Sequence, residues 1–391
     1  MIFLPFLLSA LLTNSPMKPH TPSETLSLPA PPTPELSAPL SPAALSKPSY
    51  RDGRAFLPIT KFAIKGVESK GLNGDTKVFE SEEIISPVSA NEAVVSWNVA
   101  AKSTMKAEIK AKVWDGDHWS KFYLLGHWSP AGGELRTSLN GQKDADADVA
   151  TDTLVTTKPI WKMVVSVTMS PDEKGEFPAL KFLGVSLTDT RAKVKPRASL
   201  KKVWGKEITV TGKWQSGWPE ANGWCSPTST AMALGYWASK LNRPELDVAV
   251  PDAAKACFDK VYDGTGNWPF NTAFAGSFPG IRAYVTRLSD VSELEAWVEA
   301  GIPPVVSVSY DLLCGKKRDN DPGHLMVCIG FTKEGDMILN DPAYSPNKGE
   351  GSRRIFPRSA FIPAWHRSKN TVYLIYPENT KLPTNKDGHW E

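Results

Sequence analysis

The chain has 391 residues, of which 41% are hydrophobic and 22% are charged, and this composition is typical of a soluble globular protein with two domains. Its net charge of +3 is small for the length and gives no support to binding of nucleic acid or of an anionic membrane. Four cysteines are too few for a disulfide scaffold, and their spacing contains no CxxC pair, so no zinc site is expected.

The N-terminal residues contain two segments that precede any globular pattern. Residues 1–15 begin with an almost wholly apolar run that is too short to span a bilayer and resembles the core of a secretory signal, although the usual basic residues are missing. Residues 16–55 are rich in Pro, Ser and Thr, and eleven of the 33 prolines fall within the first fifty residues. This composition predicts a disordered tether or an inert disordered tail. We therefore predict export, with the protein secreted or associated with the cell envelope.

Residues 56–192 show the period-two alternation of short strands. The clearest stretches are 95–99, 107–113 and 161–167, and turn residues separate them. Many short strands without a helical stretch predict an antiparallel β-sandwich. Its five tryptophans favour a packed core, and glycan binding through stacking is the alternative; they are Trp97, Trp114, Trp119, Trp128 and Trp161.

A second, mixed domain follows a basic linker at residues 193–206. In residues 207–378 helix signals precede strand signals, which is the order of an α+β domain. Ser226 is a candidate N-cap for the first helix, and Ser292 with Glu295 forms a candidate capping box for a later one. Residues 379–391 read as a polar tail. Helices are predicted at 227–240, near 252–261 and at 291–300, and strands at 304–310, 325–331, 337–339 and 371–376.

Cys225 lies where a loop becomes the first helix of this domain. Pro227 suits the first helical turn, because the N–H that it lacks has no partner there. The unpaired N–H groups and the positive end of the helix dipole would then lie near the sulfur. That environment favours the thiolate, which is the nucleophilic form. The alternative is a buried cysteine that packs like a small hydrophobic residue.

A cysteine nucleophile needs a base, a group that orients the base, and donors for the oxyanion. His324 heads an apolar strand, and a second strand ends at Asn340 and Asp341 after a tight turn. The hairpin would place Asp341 near His324, where a carboxylate can orient the imidazole. Because neighbouring strand residues point to opposite faces, Asn340 should face away. Gln215, upstream of the cysteine, could donate its amide to an oxyanion, or it is an ordinary surface residue.

The order of these residues resembles that of papain-like cysteine peptidases of the bacteriocin-processing type, peptidase family C39 and its stand-alone relatives. The resemblance covers roughly residues 210–377 and is most specific at 224–229, 323–325 and 340–342. It implies a papain-like fold and no metal or organic cofactor. By the resemblance, the catalytic residues are the nucleophile Cys225, the base His324, its orienting partner Asp341 and the oxyanion donor Gln215. Trp224, Trp268 and Phe270 would line the substrate groove, or they belong to the core.

We therefore predict an exported cysteine peptidase that acts on peptides or proteins, with an accessory β-sandwich that could contact the cell wall or glycans. No nucleic-acid partner and no stable transmembrane anchor are expected. Two alternatives stay open: a cell-wall peptide amidase or transpeptidase with the same site, and a non-catalytic wall- or glycan-binding protein. Since all candidate catalytic residues follow the linker, residues 1–200 should be dispensable for hydrolysis of small peptides. At most one disulfide is expected, with Cys257–Cys314 as the favoured pair.

Overall fold

The computed structural model describes residues 48–69, 75–316 and 323–391, which form two antiparallel sheets and six helices. The signal-like segment and most of the predicted tether, residues 1–47, lie outside the described residues. Among the described residues, no helix combines the length and the hydropathy needed to cross a bilayer.

The first sheet contains nine strands, and all of its pairings are antiparallel. The long strands β4 and β8 pair with each other, and β8 also pairs with β3, β5 and β7, so the strands form one hydrogen-bonded network. The antiparallel character agrees with the sequence pattern, while a sandwich of two separate sheets stays a prediction. The strands are β1 (Arg54–Pro58), β2 (Phe62–Ser69), β3 (Asp75–Ser81), β4 (Ile84–Ala100), β5 (Lys106–Trp114), β6 (Tyr123–Trp128), β7 (Ala147–Ala150), β8 (Thr153–Ser170) and β9 (Ala179–Thr188).

Strand β5 shows how the alternation builds this sheet. Every second residue of β5 is buried, beginning with Ala107 and Ile109. The lysines and the glutamate at the alternate positions are partly exposed. Successive strand residues point to opposite faces, so one face of β5 enters the core. Trp97 and Trp128 are also buried there, as the core interpretation expects, whereas Trp161 is 62% exposed.

The second half of the chain wraps helices around a six-stranded antiparallel sheet whose strand order is β10-β15-β11-β12-β13-β14. Helices precede most of the strands, and the fold is α+β, as predicted. The helices are α1 (Cys225–Leu241), α2 (Val250–Cys257), α3 (Trp268–Ser277), α4 (Val291–Glu299), α5 (Tyr310–Leu313) and α6 (Arg358–His366). The strands are β10 (Ile281–Arg287), β11 (Val305–Ser309), β12 (Gly323–Phe331), β13 (Met337–Asn340), β14 (Arg353–Phe356) and β15 (Thr371–Pro377).

Both predicted helix caps are wrong. Helix α1 begins at Cys225, one residue before the predicted cap, and Ser226 lies inside the first turn with its hydroxyl 2.8 Å from the Tyr373 hydroxyl. Helix α4 is capped by Asp290, whose carboxylate accepts from the N–H of Ser292 at 2.8 Å. The other predicted member of that capping box, Glu295, is buried and accepts a hydrogen bond at 2.8 Å from the indole of Trp204 in the linker. Ser226 and Glu295 are thus engaged by partners far along the chain, and at α4 the neighbouring Asp290 provides the cap instead.

Side chains of the first sheet form hydrogen bonds with backbone groups at the free edge of the second sheet. Strand β10 is an edge strand, so one row of its backbone groups has no strand partner. The amide of Asn98 donates to the carbonyl of Ala283 at 2.7 Å and accepts from the N–H of the same residue at 3.1 Å. The hydroxyl of Ser96 accepts from the N–H of Val285 at 2.9 Å. Strand β4 therefore supplies the hydrogen bonds that a further strand would provide.

The C-terminal segment, polar by composition, is packed onto both halves of the fold. The indole of Trp390 is buried, with its centroid 5.5 Å from that of Trp297. The carbonyl of Gly388 accepts from the N–H of Phe56 at 2.6 Å, which ties the end of the chain to β1. The segment thus contributes a core aromatic side chain and interdomain hydrogen bonds.

The favoured disulfide is wrong, because all four cysteines, which lie in the described part of the chain, are free. Cys257 is buried at the end of α2, whereas Cys314 is exposed after α5. Burial raises the pKa of Cys257 and also raises that of Cys328, to about 12, so both stay as neutral thiols near neutral pH.

Candidate active site

Cys225 is the first residue of α1 and lines a cleft. Trp224 provides the N-cap residue but no side-chain cap, so the first-turn N–H groups are left for other acceptors. Small side chains let α1 pack closely on the second sheet, and the hydroxyl of Ser229 fixes the contact by donating to the carbonyl of Leu325 at 2.9 Å. The helix start and strand β12 therefore meet at the sulfur.

The structure brings His324 and Asp341 together. Val327 of β12 pairs with Asn340 of β13, so Asp341 comes two residues along the register from His324. Their side chains meet, with Nε2 of His324 2.8 Å from Oδ1 of Asp341. His324 also interacts electrostatically with the thiol of Cys225, and Nδ1 is the ring nitrogen that the contact with Asp341 leaves free. One imidazole thus bridges sulfur and carboxylate.

Electrostatics favour a charged form of this trio. Burial raises the pKa of the Cys225 thiol, but the hydrogen bond and charge of His324 and the N–H groups of Leu325 and Ser226 lower it more, leaving it below its usual value. Burial lowers the pKa of His324, but its bonds to Asp341 and Cys225 raise it to about 9. The two directions together favour a thiolate beside an imidazolium at neutral pH.

Asp341 is wholly buried and held by several donors. The N–H of Ala343 donates to Oδ1 at 2.8 Å, and the hydroxyl of Tyr310 donates to Oδ2 at 3.1 Å. Burial raises the pKa of this carboxyl, but the contact with His324 and these bonds hold it below its usual value. The carboxylate is therefore fixed in its ionised form beside the imidazole.

Tyr310 is a site residue that the sequence reasoning missed. Besides its bond to Asp341, its ring packs edge-on against the imidazole of His324, with centroids 4.6 Å apart. Tyr310 is the last residue of the predicted strand 304–310 but lies just after β11 in the structure, where it begins α5. Strand β11 pairs with β12 so that Val308 lies opposite His324. Knowledge of that register would have pointed to it.

Asn340 faces the other way, as the strand geometry expects. Its amide donates to the carbonyl of Val210 at 2.8 Å, and its oxygen accepts from the hydroxyl of Ser352 at 3.2 Å. The bond to Val210 ties the end of β13 to the chain segment that leads into Gln215.

Gln215 lies next to the segment that follows Asp341. Its backbone N–H donates to the carbonyl of Pro342 at 2.9 Å. Its side-chain oxygen is buried and has no hydrogen-bond partner among the described residues. It does not belong to the described lining of the cleft around Cys225.

The cleft that contains Cys225 has a volume of about 690 Å³, and the three predicted groove residues lie differently in it. Trp268 lines the cleft. Trp224 faces a neighbouring depression of about 350 Å³ that shares Thr265 with it. Phe270 is wholly buried between Trp97 and Trp128, so its assignment to the substrate groove is wrong and the core alternative is right.

Comparison with known families and structures gives two matches along the sequence. The peptidase C39-like family matches residues 207–373, and the peptidase C39 N-terminal domain family matches residues 70–188. No curated protein matched the sequence.

Two solved structures show weak similarity. A crystal structure described as a C39-like peptidase from Bacillus anthracis is 18% identical, with a TM-score of 0.31, over 48% of this chain and all of that one. A xylanase of Clostridium thermocellum with CBM22-1 and GH10 modules is 13% identical, with a TM-score of 0.18, over 44% of this chain and 33% of that one. At these scores neither structure bears on function.

Proposed function

The chain carries a C39-like peptidase domain, and from this premise we propose that it is a cysteine peptidase that hydrolyses peptide bonds with Cys225, His324 and Asp341. The observation that carries the proposal is the single imidazole that lies 2.8 Å from Asp341 and interacts with the thiol of Cys225. A nucleophile, a base and an orienting carboxylate in contact are what acyl transfer requires.

In the proposed reaction the thiolate of Cys225 attacks the carbonyl carbon of the scissile amide and forms a C–S bond. The imidazolium of His324 then protonates the leaving nitrogen, the C–N bond breaks and an amine departs from the acyl-enzyme. Neutral His324 next takes a proton from water, whose oxygen attacks the thioester and releases the acid and the thiolate. Asp341 keeps the imidazole oriented and stabilises its positive charge.

The tetrahedral oxyanion needs donors near Cys225. We assign this role to the backbone N–H of Cys225 and to the side-chain amide of Gln215. Support for Gln215 is the hydrogen bond from its backbone N–H to the carbonyl of Pro342, which keeps it beside the segment that carries Asp341. Replacing Gln215 by Ala should reduce kcat by about 100-fold or more if it donates to the oxyanion.

We also propose that the protein is exported and acts on peptide or protein substrates outside the cytoplasm. The apolar run at residues 1–12 supports export, and determination of the N-terminal residue of the mature protein would test it. An amidase or transpeptidase acting on cell-wall peptides would use the same residues. Mass analysis of products separates these reactions, because a transpeptidase joins the acyl group to an amine while a hydrolase releases an acid.

The central experiment is thiol alkylation in a Cys314→Ser background, which removes the exposed cysteine. Iodoacetamide should label Cys225 rapidly at pH 6, while buried Cys257 and Cys328 stay unlabelled because their pKa values are raised. His324→Ala should return Cys225 to slow labelling and abolish cleavage of a fluorogenic peptide library. The control Cys328→Ala should keep rapid labelling of Cys225 and cleavage of the library. An ordinary thiol titration of Cys225 would refute the peptidase proposal.

A further inference from the structure

We propose that the tip of the β7–β8 hairpin, Ala150–Thr153 of the N-terminal domain, is a specificity element that contacts bound substrate. The inference rests on the proposed function, because it takes the cleft around Cys225 to be the substrate site. It assigns to the N-terminal domain a direct part in selecting peptides.

The wall of the cleft is built from both halves of the chain. The half of the chain that matches the peptidase family, residues 207–373, is called the peptidase-family half, and it contributes Cys225, Leu325 and Trp268. Other lining residues are Glu92 and the hairpin tip, residues 150–153, and these belong to the first sheet. A peptide that reaches the sulfur of Cys225 through this cleft therefore passes the hairpin.

Hydrogen bonds to Asp152 hold the hairpin tip against the start of α3. The buried carboxylate of Asp152 accepts from the N–H of Trp268 at 2.8 Å, at the start of α3, and from the hydroxyl of Thr153 at 3.1 Å. Trp268 itself lines the cleft, so the hairpin and the aromatic wall are fixed to each other. Preorganised walls lose little entropy when a ligand binds.

Thr151 carries an unusual backbone at this tip. Its φ is 60°, in the left-handed region, where β-branched residues are outliers and glycine is preferred. Its side chain lines the cleft and is only partly buried. A glycine would close the same turn with less strain, so the threonine side chain is retained at a cost in backbone energy at the surface that faces the substrate.

An ion cluster fixes the adjoining wall. Glu92 pairs with Nη1 of Arg287 at 2.6 Å and with Nζ of Lys369 at 2.7 Å, and all three residues line the cleft. Arg287 ends β10, so this cluster joins the first sheet to the second beside the hairpin. The wall of the cleft is thus stabilised by hydrogen bonds at the hairpin tip and by ion pairs at this cluster.

The test replaces Thr151 by Trp, which fills the cleft, and by Gly, which widens it and relieves the backbone. Ser103, also in the left-handed region at φ 49° but on an exposed turn of the same domain, gives the matched controls Ser103→Trp and Ser103→Gly. All variants carry Cys314→Ser in the full chain, and urea midpoints show whether each is folded. Two reagents probe Cys225: iodoacetamide and a dipeptidyl chloromethyl ketone.

Thr151→Trp should slow labelling by the dipeptidyl reagent about tenfold or more, and should lower kcat/KM on peptides mainly through KM. Iodoacetamide labelling should not change, because the thiolate itself is untouched. Thr151→Gly should raise kcat/KM for peptides with bulky residues relative to small ones, while both Ser103 variants match the parent.

Two results overturn the inference in different ways. If iodoacetamide labels Cys225 rapidly at pH 6 but the Thr151 variants react with the dipeptidyl reagent like the parent, the hairpin is only structural and the proposed function stands. If Cys225 labels as an ordinary thiol in the parent itself, the proposed function fails and the inference fails with it.

Discussion

Truncating Phe270 tests whether the two halves of this fold are stable only together. The ring of Phe270, on α3 of the peptidase-family half, is wholly buried in the core of the first sheet. It meets Trp97 with centroids 6.0 Å apart and Trp128 with centroids 5.7 Å apart, both edge-on. A methyl group placed on Gly126 would lie 2.8 Å from the ring, so the backbone there also approaches closely.

Phe270→Ala should cost about 3–5 kcal/mol in the free energy of unfolding, the usual range for a buried phenylalanine. We expect the upper half of that range for two reasons. The edge-on pairs with Trp97 and Trp128 each add about 0.5–1.5 kcal/mol beyond the buried area. The indoles that surround the cavity are large and stiff, and Gly126 has no side chain to move into it, so the cavity collapses little.

Urea unfolding followed by fluorescence and by circular dichroism gives the measurement, with a single shared transition expected for the parent. Trp161→Ala is the control, because a largely exposed tryptophan should change stability by only about 0.5 kcal/mol. The reasoning is refuted if Phe270→Ala costs less than about 2 kcal/mol, the bottom of the range for large core truncations. KM should be unchanged in the folded variant, because Phe270 does not line the cleft.

Three further predictions concern ionisable groups. Asp341→Ala should cut kcat strongly with little loss of fold, whereas Asn340→Ala should cost about 1–3 kcal/mol of stability and keep turnover; the reverse result would exchange their roles. Peptidase activity should rise with pH through the lowered pKa of Cys225 and fall as His324 loses its proton near pH 9; a profile that rises only above pH 8 would contradict the ion pair. Burial, the largest effect, raises the pKa of Asp152 from 3.8 to about 6. The protonated carboxyl therefore favours the folded state, and this contribution to the free energy of unfolding is lost as pH rises through about 6. Asp152→Asn should therefore gain up to about 3 kcal/mol over the parent between pH 4 and pH 8, and a pH-independent difference would exclude this cause.

The structure bears on the prediction that residues 1–200 are dispensable for hydrolysis of small peptides, which stays untested. It followed from the positions of the candidate catalytic residues along the chain, all beyond the linker. In space, Thr151 and Glu92 line the cleft, and Trp97 packs on α3. A fragment starting near Leu200 would expose Phe270 and the free edge of β10, and such a fragment is expected to be less stable than the full chain.

Local sequence patterns were enough to predict several residues of the candidate site. A proline two residues after Cys225 marks the first turn of a helix, and the apolar run behind His324 marks a strand. Strand alternation also separated Asp341 from Asn340, because neighbouring residues point to opposite faces whatever the strand packs against. These inferences needed only short-range geometry, and the structure places the side chains accordingly.

Other features were decided by contacts between residues far apart in the chain. Trp268 and Phe270 are two aromatic residues in one motif, and on a helix two such positions point in nearly opposite directions. Nothing local says which one faces a cleft. The choice depends on Trp97 and Trp128, more than a hundred residues upstream, which form the cavity that Phe270 fills. The sequence by itself therefore determined the nucleophile, base and carboxylate as candidates, whereas only the tertiary structure decided the walls of the cleft, because burial is a property of the assembled core.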